Sequence, residues 1–269
     1  LADNLGDPAL RLFDSSIYLT VNPDGPGYLT ESGRSRWNEQ HIPGANFLEM
    51  LVDFSDNSQP TPMMMHAADR FAELCGRHGI GDDTAVVIYS GQTVMWSARM
   101  WWMLRTMGFT NAAILDGGWE KWQREGRPIT GSHTPYAPAR FTPRPQSGMW
   151  ADKSDVLRHI RDPAVCTINA LQPDIYDGQI NRYGRPGHIP GSHNVYYNSL
   201  LDQQSGTFLP LEQLRRRFAD TGVFERRALL YCGGGVSAAL DAIALTMLGH
   251  REVAIYDGSM FEWCMDAAL

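Results

Sequence analysis

The protein has 269 residues, of which 43% are hydrophobic and 20% are charged, a composition typical of folded globular chains. Its 23 Lys and Arg against 30 Asp and Glu give a net charge of −7, which argues against a large surface for nucleic acid or anionic membrane. No uncharged apolar stretch approaches the roughly 18 residues that a membrane-spanning helix needs, so we expect neither a nucleic-acid partner nor a membrane partner.

Short aliphatic runs alternate with amphipathic segments along the whole chain. Six aliphatic or β-branched runs are predicted as strands, at residues 10–14, 85–89, 113–115, 165–169, 228–231 and 253–256. Four segments with apolar residues at helical spacing are predicted as helices, at residues 67–78, 97–107, 211–219 and 237–248. Strands that alternate with helices in this way form parallel sheets covered on both faces, so we expect an α/β fold.

The two halves of the chain repeat the same order of motifs. His-Ile-Pro-Gly occurs at residues 41–44 and again at 188–191, and Asp-Gly-Gly at 116–118 has a counterpart in Asp-Gly-Ser at 257–259. Between these motifs each half carries an aliphatic strand, a glycine-containing turn and a predicted helix. A proline-rich, aperiodic stretch at 127–149 separates the halves. We therefore predict a first domain at residues 1–130, a linker at 131–147 and a second domain at 148–269.

One of the four cysteines lies in a sequence context that favours reactivity. Cys232 begins the sequence Cys-Gly-Gly-Gly-Val-Ser, directly after a predicted strand and before a predicted helix. Ligand sites of parallel sheets lie at such strand ends, and glycine amides together with a helix N-terminus can converge on a negative charge. The loop therefore fits a thiolate nucleophile, while a small buried cysteine beside a glycine turn is the alternative. The Cys and His spacings match no zinc motif, so no metal site is predicted.

The repeated His-Ile-Pro-Gly motif, the Cys-Gly-Gly-Gly-Val-Ser loop and the Asp-Gly-Gly-Trp and Asp-Gly-Ser segments resemble those of sulfurtransferases built of two rhodanese domains, the thiosulfate and 3-mercaptopyruvate sulfurtransferases. The resemblance extends over essentially the whole chain. It implies two tandem rhodanese-like domains, each with a short, mainly parallel sheet flanked by helices on both faces. It also implies a catalytic second domain and a silent first domain, in which Ser90 stands at the position of Cys232.

The resemblance also implies the reaction and its residues. The Cys232 thiolate would take a sulfane sulfur from 3-mercaptopyruvate or thiosulfate, hold it as a persulfide and pass it to a thiol or cyanide, with a thioredoxin-like protein as one acceptor. No metal or organic cofactor is expected. Ser237 is expected to hydrogen-bond the sulfur or the leaving group, and capping of the following helix is a compatible alternative. The donor is expected to contact the loop residues Gly233, Gly234, Gly235 and Val236.

Three residues outside this loop are expected at the donor site from their positions in the family pattern. Trp96 and Tyr197 correspond to aromatic residues that line the donor cleft of relatives, and core packing is the alternative for both. His41 is expected to face the same cleft. Its alternative role is to fix its own loop through the ring nitrogens.

The sequence departs from the family pattern in two cationic positions. Leu171 stands where relatives usually carry an arginine that grips the donor anion. Arg182 and Arg185 are the nearest substitutes and suit a carboxylate or sulfonate, with a solvated loop as the alternative. The residues just after Cys232 also lack Lys and Arg. This favours mercaptopyruvate over the compact thiosulfate dianion.

Two other functions can be weighed against sulfur transfer. A rhodanese-like phosphatase needs Cys-x5-Arg, and the sixth residue after Cys232 is Ala238, so phosphate capture by arginine is missing. A persulfide carrier or protein-interaction module without turnover stays open, because it needs Cys232 but no fitted donor pocket. We expect a cytoplasmic location, with loss of a targeting segment as the alternative because the sequence starts at Leu1 rather than Met.

Overall fold

The computed structural model describes residues 1–25 and 27–269 of the chain. The strands are β1 (Leu10–Asp14), β2 (Ile17–Val21), β3 (Tyr28–Ser32), β4 (Asn46–Phe47), β5 (Ala85–Tyr89), β6 (Ala112–Ile114), β7 (Trp150–Ala151), β8 (Val165–Asn169), β9 (His193–Asn194), β10 (Arg227–Tyr231) and β11 (Val253–Tyr256). The α-helices are α1 (Arg34–Glu39), α2 (Ala68–Arg77), α3 (Met95–Thr106), α4 (Gly118–Arg124), α5 (Lys153–His159), α6 (Pro173–Tyr176), α7 (Leu211–Phe218), α8 (Ala238–Met247) and α9 (Ser259–Met265). The predicted α/β alternation is confirmed.

The chain folds into two compact units, and neither is one continuous segment of sequence. Unit 1 comprises Leu1–Leu19, Thr30–Asp56 and Met65–Gln146, and unit 2 comprises Thr20–Leu29, Asn57–Met64 and Ser147–Leu269. The predicted second domain, 148–269, differs from unit 2 mainly by the two short segments, which the prediction assigned to the first domain. Strands β2 and β3 form a separate two-stranded sheet.

The core of unit 1 is a four-stranded sheet in the order β4-β1-β5-β6, with every neighbouring pair parallel. Helix α2 buries Phe71, Leu74 and Cys75, which recur at helical spacing on one face. Helix α3 is buried along most of its length. The inner strand β5 ends at Tyr89 and leads into a loop that begins with Ser90.

The core of unit 2 is a five-stranded parallel sheet in the order β7-β11-β10-β8-β9. The three central strands are buried at nearly every position, as expected for a sheet covered on both faces. Helix α8 is rich in Ala and Leu and is buried from Ala238 to Leu245. The central strand β10 ends at Tyr231 and leads directly into Cys232.

The two units repeat one hydrogen bond that ties the His-Ile-Pro-Gly motif to the end of a central strand. In unit 1 the amide of Ile42 donates to the hydroxyl of Tyr89 at 3.3 Å, and in unit 2 the amide of Ile189 donates to the hydroxyl of Tyr231 at 3.0 Å. The repeat seen in the sequence is therefore a repeat of tertiary contacts. Among the described residues, no helix combines the length and apolar character needed to cross a bilayer.

Candidate active site

Cys232 lies at the carboxyl end of β10, between the neighbouring strands β8 and β11. Its residue is only 2% exposed, and the loop 233–237 connects it to α8. Cys232 thus stands in the predicted setting between strand and helix, at the sheet edge where parallel sheets bind ligands. Its role in catalysis stays a prediction.

The hydroxyl of Ser259 organises the backbone of the Cys232 loop. Its oxygen accepts hydrogen bonds from the amides of Cys232 and Gly235, each at 3.1 Å, and donates to the carbonyl of Tyr256 at 2.7 Å. Ser259 has a φ of +49°, which is unusual for a residue other than glycine. Sequence analysis missed this role. The available signal was a serine at the position where the first half of the chain has Gly118.

Two amides of α9 hold the other side of the loop. The amide of Met260 donates to the carbonyl of Cys232 at 3.1 Å, and the amide of Phe261 donates to the carbonyl of Gly233 at 2.9 Å. The loop carbonyls are therefore turned towards α9. The loop amides other than those bound by Ser259 remain available on the opposite side of the peptide planes.

Four amides of the loop have no internal acceptor. Within the described part of the chain, those of Gly233, Gly234, Val236 and Ser237 donate to no backbone or side-chain group. Such amides, together with the N-terminus of α8, favour a negative charge. The amide of Gly235 is occupied by Ser259, so the prediction that all three glycines offer their amides is corrected at Gly235.

Ser237 is the residue that precedes α8, and its side chain does not cap the helix. It is 6% exposed, and its hydroxyl has no hydrogen-bond partner among residues 1–25 and 27–269. Because the capping alternative is not realised, this hydroxyl is available to a sulfur atom or a leaving group.

Aromatic and thioether groups cover the two glycines that follow Cys232. A Cβ atom on Gly233 would overlap the Tyr183 hydroxyl and lie 2.5 Å from the ring carbon Cζ. A Cβ atom on Gly234 would lie 3.1 Å from Phe261 Cδ2 and 3.8 Å from Met63 Sδ. The Tyr183 and Phe261 rings meet edge to face, with centroids 5.0 Å apart. These contacts require glycine at position 233 and leave no room for a cationic side chain there.

Three tyrosines lie within electrostatic range of Cys232. Burial is the main cause that raises the pKa of Tyr28, Tyr183 and Tyr197, and the charge of Cys232 raises each of them further. The guanidinium of Arg182 lies 5.1 Å from the centroid of the Tyr28 ring, and its charge lowers the pKa of both Tyr28 and Tyr183. Arg182 and Cys232 therefore act on the same two phenols.

Of the two expected substitute arginines, one is engaged elsewhere in unit 2. Arg185 donates from Nη2 to the carbonyl of Trp263 at 3.0 Å and from Nη1 to the carbonyl of Leu269. The expectation that Arg185 binds the donor is therefore corrected, because its guanidinium holds the last residues of the chain. Arg182 makes one long hydrogen bond, from Nη1 to the carbonyl of Gly27 at 3.5 Å, and its buried Nε has no acceptor among the described residues, so Arg182 remains the candidate.

Leu171 is buried with 6% exposure, and only its backbone makes polar contacts in the described structure. Its amide donates to Asn169 Oδ1 at 2.7 Å, and its carbonyl accepts from Asn194 Nδ2 at 2.8 Å. The side chain that replaces the family arginine thus packs into unit 2 and offers nothing to an anion.

His41 and Trp96 belong to unit 1. The ring of His41 is fully buried, with Nδ1 2.6 Å from the carbonyl of Trp37 and Nε2 3.2 Å from the carbonyl of Ser132. Both nitrogens thus fix the local loop, which is the alternative role considered for this residue, and we leave His41 out of the proposed site. Trp96 is 2% exposed within α3. Tyr197 lies in unit 2 near Cys232.

The other cysteines lack the setting of Cys232. Burial raises the pKa of the Cys75 thiol well above its usual value and also raises that of Cys166, so both resist ionisation. Cys264 is half-buried, and its Sγ lies 3.9 Å from the carbonyl of Arg185. Among the described residues, no group of three or more His, Cys, Asp or Glu side chains could hold a metal ion.

The loop that follows β5 in unit 1 is filled by the unit's own side chains. The amide of Gly91 donates to Ser16 Oγ at 2.7 Å, and the amide of Gln92 donates to Glu120 Oε1 at 2.6 Å. The hydroxyl of Ser90 donates to the carbonyl of Thr93 at 2.7 Å. The unit 1 loop therefore lacks both a thiol and two of the free amides found in unit 2.

Several known proteins with similar sequences are named as sulfurtransferases. The model of the rhodanese-like domain family matches residues 27–125 and 169–266. Human 3-mercaptopyruvate sulfurtransferase is 32% identical over 277 residues, covering 99% of this chain and 88% of that protein. Thiosulfate sulfurtransferase from Rattus norvegicus is 32% identical over 263 residues, covering 95% and 85%. The structure of SseA from Escherichia coli, a 3-mercaptopyruvate sulfotransferase with the rhodanese fold, matches with a TM-score of 0.83 and 27% identity over 96% of this chain and 95% of that one.

Proposed function

The chain belongs to the rhodanese-like family, and we propose that it is a sulfurtransferase that moves a sulfane sulfur from a small-molecule donor to a thiol or cyanide acceptor through a persulfide on Cys232. The observation that carries this proposal is the setting of Cys232, a thiol at the end of β10 beside four amides without an internal acceptor. Similarity to curated sulfurtransferases over nearly the whole chain supports it.

The first half-reaction is a nucleophilic displacement at sulfur. The Cys232 thiolate attacks the outer sulfur of thiosulfate or the thiol sulfur of mercaptopyruvate, and an S–S bond forms. The bond to the leaving group breaks with its electron pair on sulfite or on pyruvate enolate, and the thiol proton of mercaptopyruvate stays on the transferred sulfur. The free amides of Gly233, Gly234 and Val236 can stabilise the negative charge of the thiolate and of the departing group. The hydroxyl of Ser237 can donate a hydrogen bond to the sulfur or to the leaving group.

The donor that fits this site best is 3-mercaptopyruvate. Thiosulfate is a compact dianion, and positions 233 and 234 offer it amides but no cation. Mercaptopyruvate carries one carboxylate at a distance from its sulfur, so a cation farther from Cys232 can serve. Arg182 meets this need because it is next to Tyr183 in sequence and Tyr183 covers Gly233.

We predict that Arg182→Ala raises KM for mercaptopyruvate several-fold more than it lowers kcat, as expected when an interaction is shared by ground and transition states. Arg185→Ala is the matched control, because Arg185 binds the carbonyls of Trp263 and Leu269. It should lower thermal stability and leave KM nearly unchanged. Steady-state kinetics that show the larger KM effect in Arg185→Ala would contradict this assignment.

The second half-reaction passes the outer sulfur to an acceptor. A thiol or cyanide attacks the persulfide and restores the Cys232 thiolate, and a thioredoxin-like protein is a candidate thiol acceptor. All four cysteines are free in the described structure, which agrees with a reducing compartment such as the cytoplasm.

One experiment can distinguish the proposed sulfurtransferase from the alternative, a persulfide carrier without turnover. Incubation with mercaptopyruvate should add the mass of one sulfur atom to the protein, and addition of a thiol should then give many turnovers. Cys232→Ser should abolish both results, while Cys264→Ser serves as the control and keeps them. Sulfur loading followed by only one turnover would favour the carrier. Full turnover by Cys232→Ser would refute the site.

A further inference from the structure

The Tyr183 hydroxyl lies directly over the loop that follows Cys232. A Cβ atom on Gly233 would overlap this hydroxyl, so the phenol occupies the space next to the first free amide of the loop. The ring is held edge-on against Phe261, with an angle of 88° between the ring planes. Tyr183 is also buried, which fixes the direction of its hydroxyl group.

Tyr183 differs from the other two tyrosines near Cys232 in its polar neighbours. The guanidinium of Arg182 lies over the Tyr28 ring, and the ring of Tyr196 packs edge to face on Tyr197, with centroids 5.0 Å apart. In the part of the chain that the structure describes, the Tyr183 hydroxyl makes no hydrogen bond. A hydroxyl without a partner, placed over the loop that follows the proposed nucleophile, is available to a substrate.

The proposed reaction with mercaptopyruvate needs a proton transfer to carbon that the reaction with thiosulfate does not need. When the Cys232 thiolate takes the sulfur of mercaptopyruvate, the electron pair of the C–S bond stays on carbon and delocalises as pyruvate enolate. The enolate becomes pyruvate only when its carbon receives a proton. Sulfite, by contrast, leaves thiosulfate as a stable anion. The thiol proton of mercaptopyruvate stays on the outer sulfur of the persulfide, and neither the Cys232 thiolate nor a free amide can carry a proton from there to carbon. A group that transfers a proton is therefore required.

We propose that Tyr183 is the proton donor to the leaving group in the mercaptopyruvate half-reaction. The inference rests on the proposed sulfur transfer through Cys232. The phenol gives its proton to the enolate carbon as the C–S bond breaks, and the resulting phenolate recovers the proton that the donor's thiol left on the outer sulfur of the persulfide. Burial and the nearby Cys232 charge raise the pKa of Tyr183 well above its usual value, so the hydroxyl keeps its proton until the basic enolate forms.

The test replaces one oxygen atom and compares two donors. Tyr183→Phe keeps the ring that packs on Gly233 and Phe261, and it should lower kcat with mercaptopyruvate by about 10²-fold or more. Its kcat with thiosulfate should stay within about 3-fold of the wild type. The persulfide can also be loaded with inorganic polysulfide and then discharged by cyanide. The rate of this discharge should be unchanged, which gives a reference that does not depend on thiosulfate turnover. Tyr176→Phe, outside the site, is the matched control.

The possible outcomes separate this inference from the proposed function. Equal loss with both donors and in cyanide discharge would assign Tyr183 a structural role and overturn the inference, as would full mercaptopyruvate activity. If the wild type turns over mercaptopyruvate and Cys232→Ser does not, the proposed function stands in either case. Incorporation of 3,5-difluorotyrosine at position 183 keeps the side-chain shape and tests the same step. It should introduce an alkaline loss of mercaptopyruvate kcat that thiosulfate kcat lacks, and an unchanged pH profile would also overturn the inference.

Discussion

Ser259 combines two features at the scale of a single residue, a left-handed backbone and three hydrogen bonds. Its φ of +49° is costly for a side chain with a Cβ atom, and glycine would adopt it freely. The hydroxyl offsets this cost because it accepts from the amides of Cys232 and Gly235 and donates to the carbonyl of Tyr256. A strained residue therefore holds the backbone of the loop that follows Cys232.

Two substitutions separate these features. Ser259→Ala leaves two buried amides without an acceptor, and we expect it to lower the free energy of unfolding by about 1–3 kcal/mol. Ser259→Gly loses the same hydroxyl but relieves the backbone, so it should be more stable than Ser259→Ala by about 1 kcal/mol. Urea denaturation measures both values, and alkylation of Cys232 reports on the loop. A glycine variant less stable than the alanine variant would show that the φ value carries no strain.

The strands β1 and β8 show how the two units use equivalent positions for different purposes. Asp14 ends β1 and Asn169 ends β8, and each side chain accepts the amide two residues later, of Ser16 at 2.8 Å and of Leu171 at 2.7 Å. Burial raises the pKa of Asp14 to about 6, although hydrogen bonds from Ser16 and Tyr89 oppose the shift and Glu120 adds to it. Asp14 is therefore an ionisable carboxyl at the position where unit 2 has the neutral amide of Asn169.

This difference predicts a pH dependence of stability. The pKa of Asp14 is higher in the folded chain than in the unfolded chain, where its usual value is 3.8, so the unfolded state loses the proton first. Its contribution to stability is complete below pH 4 and falls by about 3 kcal/mol as the pH rises to 6. Asp14→Asn should remove this fall. Urea denaturation from pH 4 to 7 gives the difference between the two proteins, and parallel curves would contradict the raised pKa.

The loops after β5 and β10 explain why one unit is expected to be silent. A thiol at Ser90 alone would not restore the site, because Ser16 and Glu120 already occupy the amides of Gly91 and Gln92. We predict that Ser90→Cys in a Cys232→Ser background forms no persulfide with mercaptopyruvate, as mass spectrometry would detect. Cys232→Ser alone is the control. A gain of one sulfur atom at position 90 would show that a thiol is sufficient and that the occupied amides are irrelevant.

At the scale of the whole molecule, the sequence predicts what depends on local periodicity and misses what depends on distant contacts. The strands at 10–14, 85–89, 165–169 and 253–256 were predicted with their observed bounds, because each is a buried aliphatic run beside a turn. The position of Cys232 followed from the same pattern. Arg185 is far in sequence from Trp263 and Leu269, whose carbonyls it binds, so no periodic pattern predicts these contacts. The positions of Tyr183 and Ser259 over the loop were missed for the same reason.

The most consequential of these distant contacts bring two short early segments into unit 2. Thr20–Leu29 supplies Gly27, whose amide donates to the carbonyl of Arg182 at 2.6 Å, and Asn57–Met64 supplies the Met63 thioether beside Gly234. Both segments precede the five-stranded sheet by many residues. Residues 147–269 therefore contain the complete sheet of unit 2 but not all of the residues that surround the Cys232 loop.

We predict that residues 147–269 produced alone retain much of their secondary structure but lose most sulfurtransferase activity. The sheet from β7 to β11 is present in this fragment, while Arg182 and Gly234 lose the contacts that Gly27 and Met63 make. Circular dichroism and turnover of mercaptopyruvate measure the two effects. Addition of residues 1–146, which contain both missing segments, should restore turnover if the fragments associate. If the fragment 147–269 has the turnover rate of the full chain, the early segments contribute nothing to the site. The domain boundary predicted at 148 would then define a self-sufficient domain.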